Sequence, residues 1–178
     1  PMNFLMLDGA GNPNTAPAFT EATETLYSVA YTLKFMVKTG EQAVDYTVAP
    51  LEGLWWAEDM AEFSVERKDD WFWTLLIMQP VFVTPALVEG AKAEAARKKT
   101  LSALARLRFE RYQEGTAAQI MHIGPYVAEG PTVAKLHQFI AESGYALHGK
   151  HHEIYLSDPR RAAPEKMKTA IRQPVKPK

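Results

Sequence analysis

The sequence predicts an α+β fold: two tandem strand–helix–strand–strand repeats related by a pseudo-twofold, with an antiparallel sheet, helices on one face and a ligand groove on the other. Three observations predict it. The pentapeptide "IMQPV" at 77–81 is echoed by "IRQPV" at 171–175. Upstream of each copy, an apolar strand ends in glycine, "FLMLDG" (4–9) and "QIMHIG" (119–124), and runs into a Gly/Pro-bearing loop. Each loop is followed by apolar residues at helical spacing. A single unit of this kind cannot bury a sheet face alone, but two side by side can share one sheet.

In the first repeat, about residues 2–81, Phe19, Ala22, Leu26, Val29, Leu33 and Val37 recur every three or four positions, one stripe of an amphipathic helix. Gly40 follows as its C-terminal cap. Two strand-like runs come next, "DYTVAPLEGLWW" and "WFWTLLIMQP". A connecting helix is expected over about 84–105, because Thr84 can cap it, Pro85 suits its first turn, and Lys98 and Lys99 suit its end. The second repeat, about 107–175, opens with the alternating "LRFERY" (107–112), which Gln113–Thr116 turns into the next strand as a hairpin. On that reading the first repeat keeps an open edge, or a segment before Pro1 is missing. Val133, Leu136 and Ile140 then form a helix ending at Gly144, and "HHEIYLSDP" and "MKTAIRQP" are the last strands. Residues 1–178 form a single domain in this reading.

Composition removes several function classes. The 178 residues are 47% hydrophobic, enough for a packed core. A net charge of −1 lacks the excess of cations that general nucleic-acid binding needs, so no nucleic-acid partner is expected. There is no cysteine, which excludes disulfides, thiolate catalysis and Cys-based zinc sites and fits a cytoplasmic protein. No apolar run reaches the roughly 18 residues that span a bilayer, so no membrane partner is expected. No Gly-x-Ser-x-Gly elbow is present, and "DGAGNPN" (8–14) lacks both the Walker lysine and the glycine spacing of a dinucleotide loop. No cofactor is expected.

The segment "KHHEIYLSDP" (150–159) carries the most chemistry. His151 and His152 point to opposite faces of a strand, so only His151 and Glu153 share one, and no second His pair accompanies them. No metal site is expected, and the histidines are read as flanking residues. Glu153 is either an exposed strand residue or a buried acid that binds a cation or exchanges protons with water. Glu52, just before Trp55 and Trp56, has a weaker claim to the same role. All four tryptophans fall within 19 positions, Trp55 to Trp73. With Tyr46, Tyr112, Tyr126 and Tyr155 they are either plain core or, in part, aromatic walls around a carboxylate, suited to flat or cationic ligands.

"PLEGLWW" (50–56), "WTLLIMQP" (73–80), "HIGPY" (122–126) and above all "HEIYLSDPRR" (152–161) resemble the GyrI-like small-molecule-binding family, related to the effector domains of multidrug-responsive regulators and to SOUL-type proteins. The resemblance spans nearly the whole chain. It implies the duplicated fold, a ligand groove between the repeats, and Glu153 facing that groove with Tyr155 on the same side. It also implies an aromatic cage for lipophilic, aromatic or cationic compounds, matched here by Trp55, Trp56, Tyr126 and Tyr155, with Trp73 and Met78 as outer candidates.

The motif "EGLW" (52–55) resembles one subfamily more closely, the hydrolases that open the cyclopropane of DNA-alkylating cyclopropanoid natural products. There the expected catalytic pair is Glu153 and Tyr155, with Glu153 as the acid and a positioned water attacking. The sequence opens on its first repeat strand without a helix-turn-helix, so a stand-alone xenobiotic binder is expected rather than a regulator, as monomer or weak homodimer. Two alternatives stand beside it: a drug-sequestering or sensing module without chemistry, and a protein-interaction module antagonising a toxin or topoisomerase inhibitor.

Overall fold

The computed structural model describes residues 1–60 and 65–178. In chain order the strands and α-helices are β1 (Met2–Ala10), α1 (Pro17–Thr39), β2 (Leu51–Trp56), β3 (Phe72–Gln79), α2 (Pro85–Lys98), β4 (Arg108–Tyr112), β5 (Ala117–Ile123), α3 (Gly130–Glu142), β6 (Tyr145–Leu147), β7 (His151–Tyr155) and β8 (Lys168–Pro177). The architecture is α+β with antiparallel strand pairing, as the sequence predicts. The chain forms two compact units, one of residues 1–49 and 56–113, the other of 50–55 and 114–178.

In the first unit β1 is the central strand, paired antiparallel with β3 on one side and β4 on the other. Phe4, Leu5, Met6 and Leu7 are all buried, so both faces of β1 are covered there. The helical stripe read from the sequence is the buried face of α1: Ala22, Leu26, Val29, Leu33 and Val37, joined by Thr25 and Ala30. Gly40 does cap α1, but in an extended conformation, its N–H bonding the Met36 carbonyl. Thr84 caps α2 through its side chain, which accepts from the Leu87 N–H at 3.3 Å.

The second unit orders its strands β2–β7–β8–β5, with β6 pairing the last residues of β8. Leu136 and Ile140 of α3 pack on Ile171 of β8, flanked by Ala118, Ile120, Val133 and Val175. Both glutamines of the duplicated Gln-Pro are buried, Gln79 at 4% exposure and Gln173 at 2%.

Three expectations are corrected. β4 is not a hairpin partner of β5: it pairs with β1, Phe4 opposite Glu110, and covers the edge that the sequence reading left open. Residues 113–116 do separate β4 from β5, but turn chemistry does not fix which strand lies alongside. The strand after α1 begins only at Leu51, so "DYTVAP" is not part of it, and the connecting helix ends at Lys98 with a separate 3₁₀ turn at Leu104–Arg106.

Trp73 is fully buried and lies across Gly9, its cross-strand neighbour, with an edge contact to Phe19 of α1 at 5.4 Å. A Cβ at position 9 would sit 2.1 Å from the indole ring. Gly9→Ala is therefore expected to destabilise the protein by about 1–3 kcal/mol, the usual cost of overpacking, seen as a lowered midpoint in thermal unfolding followed by circular dichroism.

Candidate functional site

Five residues of β7 carry most of the chemistry of the second unit, and alternation divides them between its two faces. Glu153 lies between Gly53 on β2 and Ile171 on β8. Cross-strand partners share a face, and Ile171 sits under α3. His151, Glu153 and Tyr155 are thus on the α3 side, whereas the sequence reading had put Glu153 on the face free of helices. His152 points the other way.

On the α3 side the Glu153 carboxylate is held at both oxygens. His151 Nε2 lies 3.0 Å from Oε1, and the Tyr155 hydroxyl donates to Oε2 at 2.8 Å. The Trp55 indole N–H donates in turn to the Tyr155 oxygen at 3.1 Å. Tyr126, in a 3₁₀ turn that leads into α3, sets its ring edge-on to Tyr155 at 5.5 Å and is 39% exposed. Glu129 stands at the N-cap of α3 and is 8% exposed. The Glu153 side chain keeps 16% of its surface exposed.

Gly53 is the residue that makes room. A Cβ there would meet the Trp55 indole nitrogen at 2.6 Å and the Tyr155 hydroxyl at 3.0 Å. The glycine of "EGLW" is thereby accounted for: opposite Glu153, only a bare backbone leaves space for the indole–phenol hydrogen bond.

The electrostatics follow from these contacts. Burial pushes the Glu153 carboxyl up, but the hydrogen bond and charge of His151, with the hydrogen bond from Tyr155, bring it below its ordinary value. Burial, and then the Glu153 charge, push the Tyr155 phenol well above its usual value, so it keeps its proton. A carboxyl held below its ordinary value is in its ionised form at neutral pH.

On the opposite face His152 is 1% exposed and bridges two carboxylates, Nδ1 to Glu114 at 2.7 Å and Nε2 to Glu52 at 2.9 Å. Glu114 also meets Arg172 at 3.5 Å, and Arg172 donates to Gln119 at 2.5 Å. Burial lowers the His152 pKa, but the two carboxylates outweigh it and the net shift is upward. Glu52 is thus a structural partner on the far side of β2 from Glu153. Neither histidine is a mere flanking residue, and the adjacent pair "HH" with acids on both faces was the only sequence signal for this. Among the described residues, no group of three or more His, Asp or Glu is placed to hold a metal ion.

Of the expected site residues, the structure brings together Glu153, Tyr155, Trp55 and Tyr126. Trp56, Trp73 and Met78 lie in the first unit, where Trp56 stacks on Phe72 at 6.0 Å, Trp73 is core, and Met78 is half-buried beside Phe4. Sequence reasoning missed His151, His152 and Glu114.

A model of the GyrI-like small-molecule-binding domain matches residues 1–176. The chain belongs to the GyrI-like family. This GyrI-like chain superimposes on an uncharacterized conserved protein from Listeria innocua with a TM-score of 0.90 at 46% identity, covering 98% of this chain and 88% of that one. A hydrolase from the same organism matches with a TM-score of 0.86 at 44% identity, covering 98% and 87%. The EcmrR C-terminal domain, at 12% identity and a TM-score of 0.62 over 99% and 92% of the two chains, shares the fold. No curated protein matches the chain significantly. This GyrI-like chain is a small-molecule-binding domain, and among its described residues no helix is long and apolar enough to cross a membrane.

Two outcomes are expected. Because His152 has a raised pKa in the folded state, its stabilising contribution is complete below its unfolded value of 6.5 and is lost as pH rises through the folded value. Thermal stability of the wild type should fall as pH rises from 6.5 to the folded value and level off beyond it, and His152→Ala should abolish this slope while costing about 3 kcal/mol through the unpaired acids. Gly53→Ala should disrupt the Trp55–Tyr155 hydrogen bond and change the intrinsic tryptophan emission, with an overpacking loss of about 1–3 kcal/mol.

Proposed function

We propose that the chain, acting as a single binding domain, takes flat aromatic or lipophilic small molecules at the Glu153–Tyr155 cluster and hydrolyses strained electrophilic rings of the cyclopropanoid class. The observation that carries this reading is an ionised, 16% exposed Glu153 fixed at both oxygens by His151 and Tyr155 and bordered by aromatic rings. Similarity to a hydrolase from Listeria innocua at 44% identity over 98% of this chain supports it.

In the proposed reaction the exposed ring of Tyr126 holds the flat ligand, while the buried indole of Trp55 fixes the Tyr155 hydroxyl. Glu153 accepts a proton from a water molecule as its oxygen bonds to a cyclopropane carbon. The strained C–C bond breaks, and its electron pair moves into the conjugated carbonyl of the ligand. Positioning and proton acceptance are the protein's contributions, each effective because the carboxylate is oriented before the ligand arrives. Tyr155 serves as the donor that keeps Glu153 ionised and aimed.

The deciding experiment is incubation with a cyclopropanoid and mass-spectrometric detection of a product one water heavier. Glu153→Gln should lower turnover by roughly 100-fold or more. Tyr155→Phe, which removes one donor from Glu153 and the acceptor of Trp55, should lower it by about tenfold or more. Product formation at an unchanged rate in both variants rules the mechanism out. Quenching of tryptophan fluorescence by the ligand with no product from the wild type favours sequestration without chemistry.

A further inference from the structure

β1 and β5 open the two repeats, corresponding through "FLMLDG" and "QIMHIG", but they differ at their outer edges. β1 pairs with β3 on one side and carries β4, antiparallel, on the other. β5 ends the order β2–β7–β8–β5, and among the described residues it pairs with β8 alone. Such an edge leaves alternate N–H and C=O groups open to another strand.

The corresponding side chains show what a covering strand does. At β1, Tyr112 of β4 sets its ring edge-on to Phe4 at 6.1 Å, and Arg108 lies 2.8 Å from Asp8. β4 is an outer strand too, but "RFERY" guards it with the charges of Arg108, Glu110 and Arg111. β5, "AAQIMHI", holds no Asp, Glu, Lys, Arg or Pro. Ile120 packs with Leu136 and Ile140 of α3, so alternation turns Gln119, Met121 and Ile123 to the opposite face. Where β1 has the buried Met6, β5 has Met121 at 45% exposure; where β1 has Asp8, β5 has Ile123 at 63%. An apolar edge without a guarding charge suits a strand that is itself uncharged.

We propose that β5 pairs with β5 of a second copy of this chain, antiparallel about a twofold axis, so that the protein is a homodimer joined through this edge. The strand meets its own requirement: laid against itself it opposes no like charges. The charges nearest on that face, Lys168 and Arg172 of β8, lie one strand behind it. A twofold makes the contact isologous and closed, so it uses up the edge instead of propagating. The register that pairs all seven residues, Ala117 to Ile123, puts Ile120 on the axis. Met121 then lies opposite the partner's Gln119, and Ile123 opposite the partner's Ala117. The pairing stands apart from the hydrolytic reading, because Glu153 and Tyr155 lie on β7.

Sedimentation equilibrium and hydrogen–deuterium exchange on the full chain test the dimer. The mass should approach twice 19.9 kDa as concentration rises, and the β5 amides should exchange more slowly in step. Met121→Lys combined with Ile123→Lys changes exposed side chains only and brings like charges together across the axis. Self-association should weaken roughly tenfold or more, with the circular dichroism spectrum unchanged. The chain has no cysteine, so the register can be read by cross-linking without relying on the lysine variant. Gln119→Cys mixed with Met121→Cys should give a disulfide-linked dimer under mild oxidation, in higher yield than either variant alone. A chain that stays at 19.9 kDa throughout overturns the proposal. So does a dimer that keeps its strength in the lysine variant, or a mixture of the cysteine variants that yields no linked product.

Discussion

Alternation along β7 is the constraint on which the second unit depends. Five residues must serve two faces, and each face receives a charged or polar group that cannot be buried alone. His152, turned away from α3, meets Glu52 from β2 and Glu114 from the segment that enters β5. His151, Glu153 and Tyr155, turned toward α3, satisfy one another and reach Trp55. A shift of one residue in the β2–β7 register would exchange the faces, leaving an imidazole under the helix and a carboxylate without donors. The polar bonds on both sides thus specify one register more sharply than apolar packing could.

The cost of enclosing Glu153 explains the shape of its surroundings. A carboxylate removed from water loses solvation, and the donors around it must replace that loss. Charge-assisted bonds from His151 and Tyr155 do so at 3.0 and 2.8 Å. Those donors need space, and the backbone of Gly53 supplies it. A glycine in the middle of a strand weakens it locally. Here the weakness is offset on the opposite face, where the His152–Glu52 bond ties the same strand to β7.

Local pattern made much of this legible. The α1 and α3 stripes, the Thr84 cap and the duplicated Gln-Pro all depend on short-range spacing, and each has its structural counterpart. The partner of β4 was not legible, because a turn signal reports a reversal of direction and not the identity of the strand alongside. The face of Glu153 was missed for a related reason. Alternation fixes which residues lie together but not which side the helix covers. Glu114 lies far along the chain from β7, and no local spacing connects it to that strand. Trp73 shows the opposite error: a large aromatic next to others suggested a ligand wall, whereas a small neighbour at Gly9 makes it core.

The assignment of residues 50–55 to the second unit reaches beyond the site. That unit is assembled from two stretches of chain, and the bonds joining them, Trp55 to Tyr155 and Glu52 to His152, each span 100 positions. Such closures are slow to form, because the entropy of a long loop is lost before the contact rewards it. A protein severed near residue 113 would yield a C-terminal fragment lacking the strand that carries Gly53 and Trp55, and with it the indole donor to Tyr155 and the Glu52 partner of His152.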